Sequence, residues 1–114
     1  MPYISVKVAK KLDDEIRNKF QLEMGKNISI IPDKTMEFTT VVIEDDCVMY
    51  KNGERVEGVF IEVRLFKESP ENAKKAYTEK LFTITEDILN VTPDHTHVNY
   101  FEFSAWGAGG NYMT

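Results

Sequence analysis

Cysteine is nearly missing from this chain. Cys47 stands alone among 114 residues, which excludes an internal disulfide and a cysteine metal cluster. Positive charge is scarce too: 14 Lys and Arg against 19 Asp and Glu leave a formal net charge of −5. That balance argues against nucleic acid, whose binding is dominated by phosphate neutralisation. No apolar run reaches the length of a membrane span, and the first residues lack the hydrophobic region of a signal peptide. The glycines of 107–110 are followed by neither Lys-Ser/Thr nor a helix pattern, so they are no phosphate loop. His95 and His97 beside Asp94 lack the further ligands a metal site needs, and the Pro-Asp turn accounts for Asp94. What remains, with 42% hydrophobic residues, is one domain with a single core. It is expected to be cytoplasmic, without cofactor or metal and with no nucleic-acid or membrane partner.

What is present is a duplication. Ile4-Ser5-Val6-Lys7-Val8 recurs as Ile61-Glu62-Val63-Arg64-Leu65, and Pro32-Asp33-Lys34-Thr35 recurs as Pro93-Asp94-His95-Thr96. Between these marks each half carries a helix pattern. In the first, Ile16, Phe20 and Met24 share a face, Asp13 or Asp14 can cap the start, and Gly25 lies where the pattern stops. In the second, Ser69 is a candidate N-cap with Pro70 at the first helical position. Ala73, Tyr77, Leu81, Ile84 and Ile88 form its buried stripe, and Asn90 caps the end. β-rich runs follow each Pro-Asp turn, over Phe38–Ile43 and Val98–Phe103. The pattern predicts a single α+β domain over 1–114, built as a tandem βαβ repeat with halves at about 2–45 and 59–104. Each half pairs its two strands in parallel, giving a four-stranded mixed sheet with two helices on one face. Asn52-Gly53 predicts a hairpin between the halves. The segment Trp106–Met113 holds too much aromatic surface for a free tail and is expected to pack.

Helices on one face leave the other bare. Depending on register, that face would present residues such as Ile4, Val6, Val8, Phe60 or Val63. Apolar sheet of this kind predicts self-association.

Met1-Pro2 opens directly into the first strand segment. Removal of Met1 would leave Pro2 as a free secondary amine. An α-amino group titrates near ~7.7–8.0, so it needs only modest tuning to act as a base, whereas lysine needs several units.

The Met1-Pro2 start, the tandem repeat and Thr92-Pro93-Asp94-His95-Thr96-His97-Val98-Asn99-Tyr100-Phe101 together point to a family. The chain resembles the tautomerase superfamily, and within it the group of macrophage migration inhibitory factor and D-dopachrome tautomerase. The last stretch is similar to the family's Ser-Pro-Asp-Arg-x-x-Ile-Asn-Tyr-Tyr, and the glycines after Trp106 resemble the tail of D-dopachrome tautomerase. The resemblance implies a homotrimer with active sites at subunit interfaces and Pro2 as general base. It implies cofactor-independent keto–enol tautomerisation of a small, aromatic or apolar 2-oxo acid. His97 falls where the family has a tyrosine supplied by the neighbouring subunit, and Asn99 matches its asparagine. Phe66 falls at the pocket edge, and Trp106 at the hydrophobic wall. The substrate-binding lysine stays open: alignment on the Pro32 turn puts it at Ile31, which cannot bind an anion, and alignment on Gly25 puts it at Lys26. Lys34 and Lys11 are further candidates. Two other readings stand beside it: a catalytically weak or inactive trimeric binding or signalling protein of the migration inhibitory factor type on the same scaffold, and a ferredoxin-like ligand-sensing module, since tandem βαβ units also build that fold.

Overall fold

Alternation along the first strand decides how the protein is layered. In the computed structural model, which describes residues 1–114, β1 (Tyr3–Val8) buries Ile4, Val6 and Val8 completely and turns Tyr3, Ser5 and Lys7 to the opposite side. The chain then forms α1 (Asp14–Lys26) and returns through two short 3₁₀ turns, Asn27–Ile30 and Met36–Phe38, into β2 (Thr40–Glu44). A small hairpin of β3 (Tyr50–Lys51) and β4 (Glu54–Arg55) leads into the second half. That half comprises β5 (Val59–Phe66), α2 (Glu71–Leu89), a 3₁₀ turn at Pro93–His95 and β6 (Thr96–Phe103). A terminal hairpin of β7 (Trp106–Ala108) and β8 (Asn111–Met113) completes the chain.

The sheet order is β2-β1-β5-β6. β1 runs parallel to β2, β5 parallel to β6, and the halves meet where β1 and β5 pair antiparallel. The result is the four-stranded mixed sheet that the repeat predicts. Phe20 and Met24 of α1, Tyr77 and Leu81 of α2, and Ile28 and Ile31 of the irregular return all lie in one core with the inward strand residues. The Tyr77 hydroxyl donates to the Met24 carbonyl at 2.7 Å, tying the two halves together inside that core. The hairpin turn is as expected, with Asn52 and Gly53 both at positive φ, the conformation a type I′ turn demands.

Several expectations need correction. The bare face does not carry Ile4, Val6, Val8 or Val63, each of which is fully buried under the helices. The open face instead presents Tyr3, Ser5 and Lys7 with Phe60, Glu62, Arg64 and Phe66, and then His97, Asn99, Phe101 and Phe103. It is half aromatic and half polar, because the helices claimed the aliphatic side of each strand. Gly25 does not end α1: the helix continues to Lys26, and the missing side chain makes room for Met36, whose Cγ would lie 3.0 Å from an added Cβ. Ser69 does not cap α2; its N–H donates to Glu102 Oε2 at 2.7 Å and Pro70 takes the N-cap position. β2 begins only at Thr40, where the Thr40 N–H first reaches the Pro2 carbonyl. Asp13 and Asn90 do cap as read: Asp13 accepts from the Ile16 N–H at 2.8 Å, and Asn90 adopts the left-handed conformation at φ 58°.

Candidate active site

β1 starts at an end of the sheet where several chemistry-bearing groups meet. Pro2 is buried, and its carbonyl accepts the Thr40 N–H at 3.1 Å. With Met1 attached, the Pro2 nitrogen is an amide without basicity, and the free amine belongs to Met1. That amine is held below its ordinary value of 8.0, first by burial and second by the charge of Lys34. Both effects disfavour an ammonium ion at this place. Removing Met1 would move the amine one residue deeper, to a residue that is itself buried.

Lys34 arrives through a local turn. Asp33 is left-handed at φ 66°, and the Lys34 N–H donates to the Ile31 carbonyl at 3.2 Å. From there the Lys34 ammonium donates to the Phe66 carbonyl at 3.1 Å, across from the chain terminus. Phe66 ends β5 on the open face, with the Lys67 ammonium 5.3 Å from its ring centre. Trp106 opens the terminal hairpin and packs edge-on against Phe103, ring centres 6.0 Å apart. Tyr3, Arg64, Phe103, Ala105, Trp106 and Gly107 line an open groove of about 370 Å³. The tail therefore packs on its own subunit and walls this end of the sheet.

Other expected site residues lie elsewhere in the protomer. His97 pairs across the sheet with Phe60, which pairs with Lys7. Lys7 is five residues along β1 from Pro2, or roughly 17 Å at the usual rise of a strand. The His97 ring stacks on Phe60 at 5.4 Å and 10°. A separate cavity of about 260 Å³ borders both, together with Met49, Tyr50, Gly58 and His95. Asn99 lies between the two ends, its side-chain oxygen buried without a partner. Within one chain neither residue meets Pro2. Lys26 sits at the end of α1 with its ammonium 3.8 Å from Glu23, and no contact ties it to Pro2. Lys11 borders a cavity with Asp46, Arg55 and Glu57, beyond the Val8 end of β1.

The sequence reading overlooked Tyr3, Arg64 and Phe103 at the Pro2 end. The signal was available: strand residues two apart share a face, so Arg64 had to lie beside Phe66.

Neither a family model nor a curated protein matches the sequence. Solved structures match it closely in shape. Leishmania major MIF2 superposes with a TM-score of 0.91 at 18% identity, over 99% of this chain and 97% of that one. A fused 4-OT, solved as an asymmetric trimer, gives 0.84 at 16% identity, over 96% and 94%. A protein solved after inactivation by 2-oxo-3-pentynoate gives 0.85 at 13% identity, over 95% and 93%. The chain therefore has the α+β fold of these MIF and 4-OT structures.

Proposed function

We propose that this protein, once freed of Met1, is a cofactor-independent keto–enol tautomerase acting on a small, aromatic or apolar 2-oxo acid. The observation that carries the reading is the electrostatics at the start of β1, where burial and Lys34 both hold a terminal amine below its ordinary value. A neutral amine there can accept a proton near neutral pH. In the ketonising direction, the Pro2 nitrogen takes the proton of the enol hydroxyl. The resulting prolinium returns a proton to the carbon beside the new carbonyl, so no atom is gained or lost. Lys34 attracts the substrate carboxylate, and Phe66 and Trp106 supply apolar walls that strengthen these charge interactions. His97 and Asn99 complete the cleft from a neighbouring protomer of a homotrimer, donating to the enolate oxygen. Their distance from Pro2 within one chain supports that arrangement. So do a structural neighbour described as a trimer and another inactivated by a 2-oxo acid. Lys26 keeps an outer role at most, because its ammonium faces Glu23.

The test begins with intact mass, to establish that Met1 is gone. Loss of enol absorbance of a phenylpyruvate-type acid is then followed for the processed protein and for Pro2→Gly. Turnover is expected in the first and its loss in the second; unchanged turnover in Pro2→Gly overturns the assignment of the base. A second reading has one observation in its favour: the Lys34 ammonium already donates to the Phe66 carbonyl, which occupies the nearest cation. That suits a catalytically weak trimeric binding protein, which would hold the same acid without turning it over and would tolerate a retained Met1.

A further inference from the structure

The two histidines that flank Thr96 are held in different ways. His95 has its Nε2 3.7 Å from Asp94. His97 enters no hydrogen bond or ion pair within the protomer, and its side chain is exposed on the open face. Such a strand position leaves a side chain two common χ1 wells, and the χ2 torsion of an imidazole is broad. One contact restricts both. The His97 ring lies parallel to that of Phe60, with 5.4 Å between centres and 10° between planes, the offset stack that aromatic pairs favour.

The direction of control follows from the sheet. Phe60 is on β5, with β1 on one side and β6 on the other, whereas His97 is on the edge strand β6. Phe60 stands between Lys7 and His97 in register and borders a cavity of about 260 Å³ with Met49, Val56 and Gly58. Gly58 lets Met49 approach: an added Cβ would lie 2.8 Å from the Met49 Sδ. The Val56 N–H donates to the Met49 carbonyl at 3.0 Å, drawing the base of the β3–β4 hairpin to the same place. The hairpin between the halves thus supplies a wall beside Phe60, and Phe60 supplies the surface on which His97 lies.

We propose that Phe60 is the positioning residue for His97. It fixes the imidazole plane so that a ring N–H is aimed at the enolate oxygen of an acid bound at the Pro2 of a neighbouring protomer. This rests on the tautomerase reading and goes beyond it: the donor is oriented by a ring contact, which leaves both its nitrogens free of protein partners. A donor set in place before the substrate arrives stabilises developing charge without reorganisation, and a misaimed one loses part of that effect.

A double-mutant cycle on the Met1-free protein tests it, with enol turnover of a phenylpyruvate-type acid as the readout. Phe60→Leu keeps an apolar side chain and removes the ring. It is expected to lower kcat about 3- to 10-fold, the worth of one aromatic pair, with KM unchanged. Phe60→Tyr, which restores the ring, is expected to restore kcat. In a His97→Ala background, Phe60→Leu should reduce the remaining turnover no further. Proton NMR supplies a readout that does not depend on turnover or on any Phe60 variant folding: the His97 ring signals of the wild type, assigned by their loss in His97→Ala, should lie upfield in the ring current of Phe60. Equal losses from Phe60→Leu in both backgrounds overturn the proposal, because Phe60 then acts through the fold. Wild-type His97 signals without the upfield displacement overturn it too. If Pro2→Gly keeps its turnover while the loss from Phe60→Leu still requires His97, the base assignment fails and Phe60 stands. If Pro2→Gly is inactive and Phe60→Leu costs the same in both backgrounds, the reverse holds.

Discussion

The two halves of this protein repeat one plan and diverge at one corner. Each runs strand, helix, Pro-Asp turn, parallel strand. In the first half a 13-residue helix ends early, and an irregular return carries the chain past Pro32 to Lys34. In the second a 19-residue helix runs to Asn90, and the chain enters β6 soon after His95, the counterpart of Lys34. The consequences are opposite. Lys34 stretches to the end of β5 and projects its charge onto the chain terminus. His95 stays 3.7 Å from Asp94, its Nδ1 buried and unpartnered. Its carbonyl packs so closely on Gly58 that an added Cβ there would lie 3.1 Å away. One copy of the turn carries a cation to the start of β1, and the other closes against backbone just ahead of β5. Duplication supplied a rigid scaffold, and the chemistry collected where the copies differ.

The most severe way to break that contrast is to cap the Pro2 nitrogen. A form that retains Met1 converts the Pro2 nitrogen to an amide, and removing a general base costs about 10²- to 10⁴-fold. We expect a loss of that size in enol turnover with no change in melting temperature, read by mass spectrometry and assay on the same sample.

Exchanging the two turn residues sharpens the comparison. Lys34→Gln removes a charge that disfavours the ammonium form of the terminal amine, so the pKa of that amine rises. The acid limb of the pH–rate profile should move to higher pH, and kcat/KM for a 2-oxo acid should fall about 10- to 100-fold through the lost carboxylate contact. His95→Gln, in the other copy, should shift neither. Equal effects from both variants would mean that Lys34 acts through the fold rather than through its charge.

Tyr77→Phe probes what the halves share. The Tyr77 hydroxyl is pushed well above its ordinary pKa by burial and by Tyr100, so it stays a protonated donor to the Met24 carbonyl. Phenylalanine leaves that buried carbonyl unsatisfied, for a cost of about 1–3 kcal/mol in urea unfolding. The acid limb of turnover should not move, because the contact lies in the core.

Much of this was legible in the chain and some was not, for physical reasons. The repeat, both helices, both parallel pairs and the Asn52-Gly53 hairpin follow from local patterns that tertiary packing did not override. The side on which the helices sit does not. Ile4, Val6 and Val8 alternate with Tyr3, Ser5 and Lys7, and only the apolar stripes of Phe20 and Tyr77 decide which set is covered. The approach of Lys34 to the chain terminus was equally hidden, since it depends on the left-handed Asp33 that turns the chain back. His97 and Asn99 were singled out only through the family resemblance, and the protomer keeps them away from Pro2.

The mildest prediction concerns the carboxylate that supports the start of the second helix, as Asp45 supports the first by accepting from the Leu12 N–H and from Arg17. Glu102 on β6 accepts from the Lys74 ammonium at 2.9 Å and from the Ser69 N–H at 2.7 Å. Burial works to raise its pKa, but those hydrogen bonds and the charges of Lys74 and Lys34 outweigh it, leaving the carboxyl below its ordinary 4.5. A depressed carboxylate stabilises the fold at pH above its unfolded value and loses that contribution as pH falls through the folded one. Glu102→Gln should therefore cost on the order of 1 kcal/mol at neutral pH. That cost should disappear in acid, so the stability curves of wild type and variant converge below pH 4.5. A gap that persists in acid would assign the effect to packing at the start of α2. Because Lys34 also acts on Glu102, Lys34→Gln should raise the pH at which the curves meet, linking the support of the second half to the cleft of the first.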